Sequence, residues 1–282
     1  MRKRSLFRTL ATHFFLVCFT VVTLYPVLWV VKMALTPSQG FSLSLNPIPE
    51  EPTLDNFEDV LGQRDRHGRR LFWRWALNST VVAGATTLVG VFLACTAAYA
   101  FSRFRFPGRE KGLMAFLVTQ MFPGTLMMIP LYVILERLGL LDQLLGLVLV
   151  YSTTAIPFCV WMLKGYFDTI PRELEEAARI DGASAFRIFW TIVLPLAKPA
   201  IAVTALFSFM TAWNEFILAA TFMAEETSYT LPVALQSYVS AYHTEWGHFA
   251  AGSILVSIPV VALFFALQKN LVGGLTAGGV KG

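Results

Sequence analysis

Six stretches of this chain are each apolar enough to cross a bilayer, which takes about 20 mostly apolar residues. They lie roughly at 14–35, 76–101, 113–135, 145–163, 200–222 and 250–268. One soluble core does not ask for six such stretches. In lipid every backbone polar group must find its partner inside the protein, so long apolar runs of this length fold as helices. The expectation is an all-α membrane protein with six transmembrane helices. Composition agrees: 14% of residues are charged, where a soluble domain carries about 25%.

The chain opens with MRKRSLFRTL and continues into an apolar run from Phe14 to Val31. A secretory signal would have an apolar core of about 7–15 residues followed by a small-residue cleavage site. Neither is present, so this run reads as an uncleaved first span, kinked at Tyr25-Pro26. Basic residues then orient the bundle. Arg2, Lys3, Arg4 and Arg8 precede the first window, and Arg103, Arg105, Arg109 and Lys111 follow the second. Lys164, Arg172, Arg179, Arg187 and Lys198 follow the fourth, and Lys269 and Lys281 end the chain. All these fall on one side, which puts both termini in the cytoplasm. A cluster of arginines at 64–74 dissents, but it lies in a long loop mixed with Glu58, Asp59 and Asp65. Cys18, Cys95 and Cys159 all sit in apolar runs and read as buried free thiols, without a disulfide framework. His243 and His248 stand five apart, a poor spacing for a helical metal pair, so no metal site is expected. The small net charge of +4 does not indicate nucleic-acid binding.

The longest cytoplasmic connection, 164–199, contains ELEEAARIDGAS from Glu173 to Ser184. It reads as two short helices with a bend. Pro171 suits a first helical position. Glu173, Glu175 and Glu176 favour the positive end of a helix dipole. Gly182 can take the left-handed conformation that ends the first helix, and Ser184 can cap the second. That second helix carries Phe186, Phe189, Trp190 and Ile192, too many large apolar groups for a solvated loop. On the residues alone, two readings stay open: a helix lying on the bilayer surface, or a docking element for a soluble partner. No glycine in the chain is followed by lysine, so the phosphate-cradling G-x-x-x-x-G-K-[ST] loop is missing and energy for any active transport must come from elsewhere.

Glu176-Ala177-Ala178, then Asp181-Gly182, then Ile192-x-Leu194-Pro195 resembles the EAA signature of binding-protein-dependent ABC importer permeases. The tail QKNLVGGLTAGGVKG, and stretches such as AYAFSRFRFPG and SYTLPVALQSY, are similar to the carbohydrate-uptake branch that carries maltose and maltodextrin. The resemblance implies the type I ABC importer permease fold in a bacterial cytoplasmic (inner) membrane. It implies residues 1–75 as first span and periplasmic loop, 76–270 as permease core with a coupling helix near 171–195, and 271–282 as a cytoplasmic tail. Glu176, Ala177, Ala178, Asp181, Gly182, Ile192 and Pro195 would then meet an ATP-binding subunit. Gly278, Gly279, Val280 and Lys281 would contact the same subunit. The implied partners are a second homologous permease, two ABC ATPase subunits that bind ATP and magnesium, and an extracytoplasmic sugar-binding protein, with lipid around the spans. This chain would hold no cofactor and catalyse nothing itself. The same family also serves other sugars, such as trehalose, glycerol phosphate or other oligosaccharides.

Trp213-Asn214-Glu215 falls inside the fifth window, where a carboxylate is costly unless it meets a partner or a wet cavity. It reads either as a structural hydrogen bond between helices or as part of a sugar path. Gln120, beside Pro123, Gly124 and Pro130 in the third window, reads either as part of the same path or as packing of a kinked helix. Gln236 and Tyr238, in the acid-rich loop 223–249, are assigned by the resemblance to contact with the binding protein. Asn78 and Ser79 read as packing or capping residues. A secondary transporter driven by an ion gradient and a membrane-embedded enzyme are the other classes. The first lacks a clear repeat, and the second lacks a cluster of reactive groups.

Overall fold

The computed structural model describes residues 6–42, 44–240 and 244–279, with the backbone alone at 6–7 and 269–279. The described residues fold as helices joined by turns. Four helices are individually long and apolar enough to span a membrane: α1 (Leu6–Ala34), α3 (Leu71–Arg103), α6 (Leu144–Phe167) and α13 (Trp246–Gly279). The count reaches six when each of two bent helix pairs, 109–120 with 124–137 and 185–196 with 198–213, is taken as one span. Between α1 and α3 lies the short α2 (Asp55–Gly62).

Proline breaks one window and not others. The third window splits into α4 (Arg109–Gln120) and α5 (Gly124–Arg137), which meet at 98°. Pro123 occupies the cap of α5 and disfavours helical backbone at the residue before it. By contrast α1 runs on through Pro26 and α6 through Pro157. The fifth window is also broken, into α10 (Lys198–Trp213) and α11 (Ile217–Phe222) around Asn214-Glu215-Phe216. Cys95 and Cys159 are buried as expected, but Cys18 is exposed on α1, none of whose apolar window is buried in this chain. Lipid is the solvent that suits such a surface.

The chain divides into two compact units. The first comprises residues up to Trp73 together with 234–258. It takes in part of the loop before α13 and the first turns of α13 itself. Asn56 on α2 is its polar centre, only 1% exposed. Its amide donates to the carbonyls of Ala34 (3.0 Å) and Thr36 (2.8 Å) and accepts from Gln39 at 2.5 Å. Gln39 in turn receives the backbone N–H groups of Trp246 and His248, which fastens the start of α13. Gly247 passes so close to Asn56 and Gln39 that a Cβ there would fall 2.8 Å from the Asn56 amide. Part of the dissenting arginine cluster builds a turn: Arg69 pairs with Asp65 at 2.7 Å, and Arg64 donates to the Gly68 carbonyl.

The second unit holds 74–233 and 259–282. Asn78 and Ser79 on α3 pin the loop after α11. Asn78 donates to the carbonyls of Thr227 and Tyr229, and Ser79 accepts the N–H of Leu231 at the start of α12 (Leu231–Gln236). Asp142, in the left-handed region at φ 57°, holds the same loop by accepting the N–H groups of Ala224 and Glu225. The core of this unit sits at the ends of α3 and α6. Ala94, Ala98, Tyr99, Cys159, Val160, Leu163 and Phe167 pack there. So do Ile188, Phe189 and Val193, which come from the polar connection that follows α6.

Candidate coupling site

The 164–199 connection is the polar segment that the sequence singles out. Its first helix, α7, runs Glu173–Ile180, starting two residues after Pro171, with three glutamates in its first turn. That turn is where the exposed N–H groups favour negative charge. Gly182 ends it at φ +83°. The N–H groups of Gly182 and Ala183 return to the carbonyls of Arg179 and Ala178, closing the turn. Ser184 then caps α8 (Ala185–Ile188) by accepting the N–H of Arg187 at 3.3 Å. A π-helical turn, Phe189–Val193, and a short α9 (Leu194–Leu196) lead into α10. Pro195 stands in the first turn of α9, where its missing N–H costs nothing.

The segment has two faces. Inward, Ile188 is fully buried and Phe189 is 5% exposed, with its ring 4.9 Å from that of Tyr99 on α3. Outward, Leu174, Ile180, Phe186 and Trp190 are exposed, Ile180 by 88% and Phe186 by 73%. The large apolar groups of the second helix are thus divided: Phe189 belongs to the core, and Phe186 and Trp190 do not. Glu176, Ala177, Asp181 and Gly182 are all exposed, while Ala178 and Ile192 are half-buried. A Cβ added at Gly182 would meet nothing within 4 Å. Apolar side chains around a small-residue turn with open space above it form a socketed surface that another protein can cover.

Behind this surface lies a polar network that the sequence reading missed. Glu175 on α7 is 3% exposed and accepts from Arg103 Nε, the last residue of α3, at 2.5 Å. Tyr99 Oη approaches the other carboxylate oxygen at 3.4 Å. Arg103 also donates to the Ile170 carbonyl and to Ser102 Oγ, and Ser102 donates to Asp168 at 2.6 Å. Asp168, just past the end of α6, pairs with Lys164 at 2.6 Å. By sequence Arg103 is an orienting charge and Glu175 a first-turn acid, and nothing local joins them. The available signal was helical spacing: Glu175 and Ala178 share the covered face.

Burial works to raise the Asp168 carboxyl, but the hydrogen bonds from Lys164 and Ser102 and the Lys164 charge outweigh it and hold the group below its ordinary 3.8. A lowered folded value means that Asp168 stabilises the fold above about pH 4 and loses that contribution as pH falls through the folded value. Melting curves of the detergent-solubilised protein between pH 3 and 6 check this. Asp168→Asn should flatten the acid loss of stability, and an unchanged slope would contradict it.

The other predicted residues scatter. Gln120, at the end of α4, donates to the Thr154 carbonyl at 2.9 Å and borders a largely apolar cavity of about 750 Å³ with Phe116, Phe122, Thr153 and Pro157. Trp213 is 2% exposed and stacks on Phe209 with centroids 5.3 Å apart. Asn214 is exposed and turns back to the Met210 carbonyl. Glu215 accepts from Tyr151 Oη at 2.5 Å and from the N–H groups of Leu218 and Ala219. Of these four, Gln120 alone borders that cavity. In the first unit, Gln236 is exposed at the end of α12. Tyr238 donates to Gln63 at 2.7 Å, and burial, then the charges of Glu245 and Asp59, push its hydroxyl up to about 12. Gly278 and Gly279 form the end of α13, where a separate tail was expected from 271. Val280 and Lys281 lie outside the described residues.

A helical multi-span chain, with an exposed pair of short helices joined at a glycine turn, defines a multi-pass membrane protein. Residues 86–276 match the family described as "Binding-protein-dependent transport system inner membrane component", and the chain belongs to that family. It is a multi-pass inner-membrane protein of the ABC importer permease type. It is 39% identical to the galactooligosaccharides transport system permease protein GanQ of Bacillus subtilis, over 100% of this chain and 99% of that one. It is also 39% identical to the maltodextrin permease protein MdxG of the same organism, over 97% and 96% of the two chains. Identity to the maltose/maltodextrin permease protein MalG of Escherichia coli is 38%, over 98% and 96%. The fold matches a chain of a bacterial ABC transporter that imports alginate, with a TM-score of 0.78, 24% identity, and coverage of 96% and 98%.

Proposed function

We propose that this chain is one permease subunit of an ATP-driven importer of maltodextrin or a similar oligosaccharide. The observation that carries the coupling half of this reading is the outward face of 173–190. Leu174, Ile180, Phe186 and Trp190 surround a glycine turn with nothing above it. In this reading both termini and that face lie in the cytoplasm, against an ABC subunit that binds ATP and magnesium. Glu176, Ala177, Ala178, Asp181, Gly182, Ile192 and Pro195 make or shape the contact, and the chain end from Gly278 to Lys281 adds to it. A second, homologous permease completes the pathway, and two ATPase copies serve the pair. A sugar-binding protein docks outside, near Gln236 and Tyr238. The cavity beside Gln120 contributes one wall of the sugar path. ATPase closure shifts the permease pair from inward-facing to outward-facing, a population shift driven by a partner's binding energy.

Full-length relatives named for galactooligosaccharides and for maltodextrin stand at the same 39% identity. A galactooligosaccharide is therefore the second reading. The test is uptake into proteoliposomes holding this chain with its genomic partners. ATP-dependent accumulation of maltotriose, with the binding protein present, is the expected result. Preference for a β-galactoside trisaccharide would select the second reading. Uptake driven by a proton gradient without ATP would overturn both.

A further inference from the structure

The buried pair Arg103–Glu175 asks for a reason. Both side chains are 4% exposed. Burying two charges carries a desolvation penalty that their attraction often fails to offset, so an apolar pair of the same volume holds such a site as well or better. The Tyr99–Phe189 packing and the apolar cluster around Ile188 already fix the inward face of the segment. Stability alone therefore does not account for the pair.

Its placement is informative. Arg103 is the final residue of the 33-residue helix α3, and Glu175 is in the first turn of the eight-residue helix α7. The guanidinium divides its donors between Glu175, the Ile170 carbonyl just before α7, and Ser102, which passes on to Asp168 and Lys164 at the end of α6. Arg172 adds a donor to the Ser102 carbonyl. One arginine thus ties the base of the exposed segment to the ends of two spanning helices. Apolar packing is non-directional and allows sliding, whereas a forked guanidinium fixes direction and register.

We infer that Arg103 and Glu175 are positioning residues for energy coupling: they lock α7 to α3 so that displacement of the exposed segment moves the spanning helix. The inference rests on the docking reading above. Glu175 does not itself touch the partner, because it faces inward. Its loss spares docking and lets α7 move without α3.

The test uses the assembled transporter in proteoliposomes and measures ATP hydrolysed per sugar imported. Three variants are compared: Glu175→Gln, which keeps shape and removes charge; the apolar pair Arg103→Met with Glu175→Leu; and the exchange Arg103→Glu with Glu175→Arg. Copurification of the ATPase, and cross-linking to it through Phe186→Cys, report docking separately. The expected result is that the apolar pair assembles and melts at or above the wild-type temperature, yet spends roughly tenfold more ATP per sugar, the scale of a typical coupling free energy. Glu175→Gln shows the same direction with a smaller ratio, and the exchange restores part of the loss. A wild-type ratio in an assembled Glu175→Gln or apolar-pair complex overturns the positioning role and leaves docking standing. Failure of the wild-type chain to copurify with or cross-link to an ATPase removes docking, and the positioning role with it.

Discussion

Gly182→Asp abolishes sugar uptake while leaving the protein folded in the membrane. The glycine sits at φ +83°, a conformation that costs an ordinary L-residue about 1 kcal/mol. Aspartate is among the side chains that bear it best. A Cβ at this position meets no atom of the chain within 4 Å, and the turn lies on the surface. Nothing inside the subunit therefore turns so small a strain into failure. The damage arises where another protein occupies the open space above the turn, and where a second carboxylate beside Asp181 is carried into that contact. Gly182→Ala separates the two causes. Alanine is the more strained of the two in left-handed backbone but the smaller and uncharged one. The expected order of transport is wild type, then Ala, then Asp with no detectable uptake, at equal amounts of protein in the membrane. Wild-type uptake by the Asp variant would remove the docking surface from this turn. Ala and Asp losing uptake equally would place the fault in the backbone.

Hydropathy and one spaced motif made much of this legible. The windows located the spanning helices because the bilayer fixes their length, and Gly182 was identified because few residues end a helix in the left-handed region. What stayed hidden shares a physical origin. A window averaged over about 20 residues cannot register a break of two or three. The 98° bend at Met121–Pro123 and the gap at Asn214–Phe216 thus merged into continuous runs. The division of Phe186 and Trp190 from Phe189 depends on which neighbours cover each ring, and a π-helical turn shifts the periodicity that would have told them apart. Arg103 and Glu175 are 72 positions apart, so their pairing exists only once α3 and α7 meet. The resemblance implies a separate tail from 271, yet the backbone continues α13 through Gly273, Gly274, Gly278 and Gly279. Glycine weakens a helix by about 1 kcal/mol without forbidding it.

Glu215→Ala destabilises the subunit by about 2–5 kcal/mol, because its carboxyl group answers three donors at once. Tyr151 Oη on α6 donates to it at 2.5 Å, and the backbone N–H groups of Leu218 and Ala219 donate at 2.9 Å and 3.1 Å. Those two amides open α11, directly after the break in the fifth window, where no preceding helical turn can accept them. In a membrane no water replaces the lost acceptor. The residue therefore allows the span to break and, through Tyr151, ties the break to α6. Glu215→Gln keeps one carbonyl acceptor and most of the shape, so it costs less, about 1 kcal/mol. Tyr151→Phe removes a single donor and costs a similar amount. Because the two side chains touch, their effects do not add. A double-mutant cycle on the melting of the purified complex gives an interaction energy between about 0.5 and 3 kcal/mol. A residue of the sugar path behaves differently: Glu215→Gln would change the apparent KM for sugar and its selectivity while melting stayed put. That pattern, with an interaction energy near zero, would return Glu215 to the path. A stability loss with unchanged sugar preference leaves it as the clasp of a broken helix, and leaves the cavity bordered by Gln120, Thr153 and Thr154 as the wall at which sugar contact is tested next.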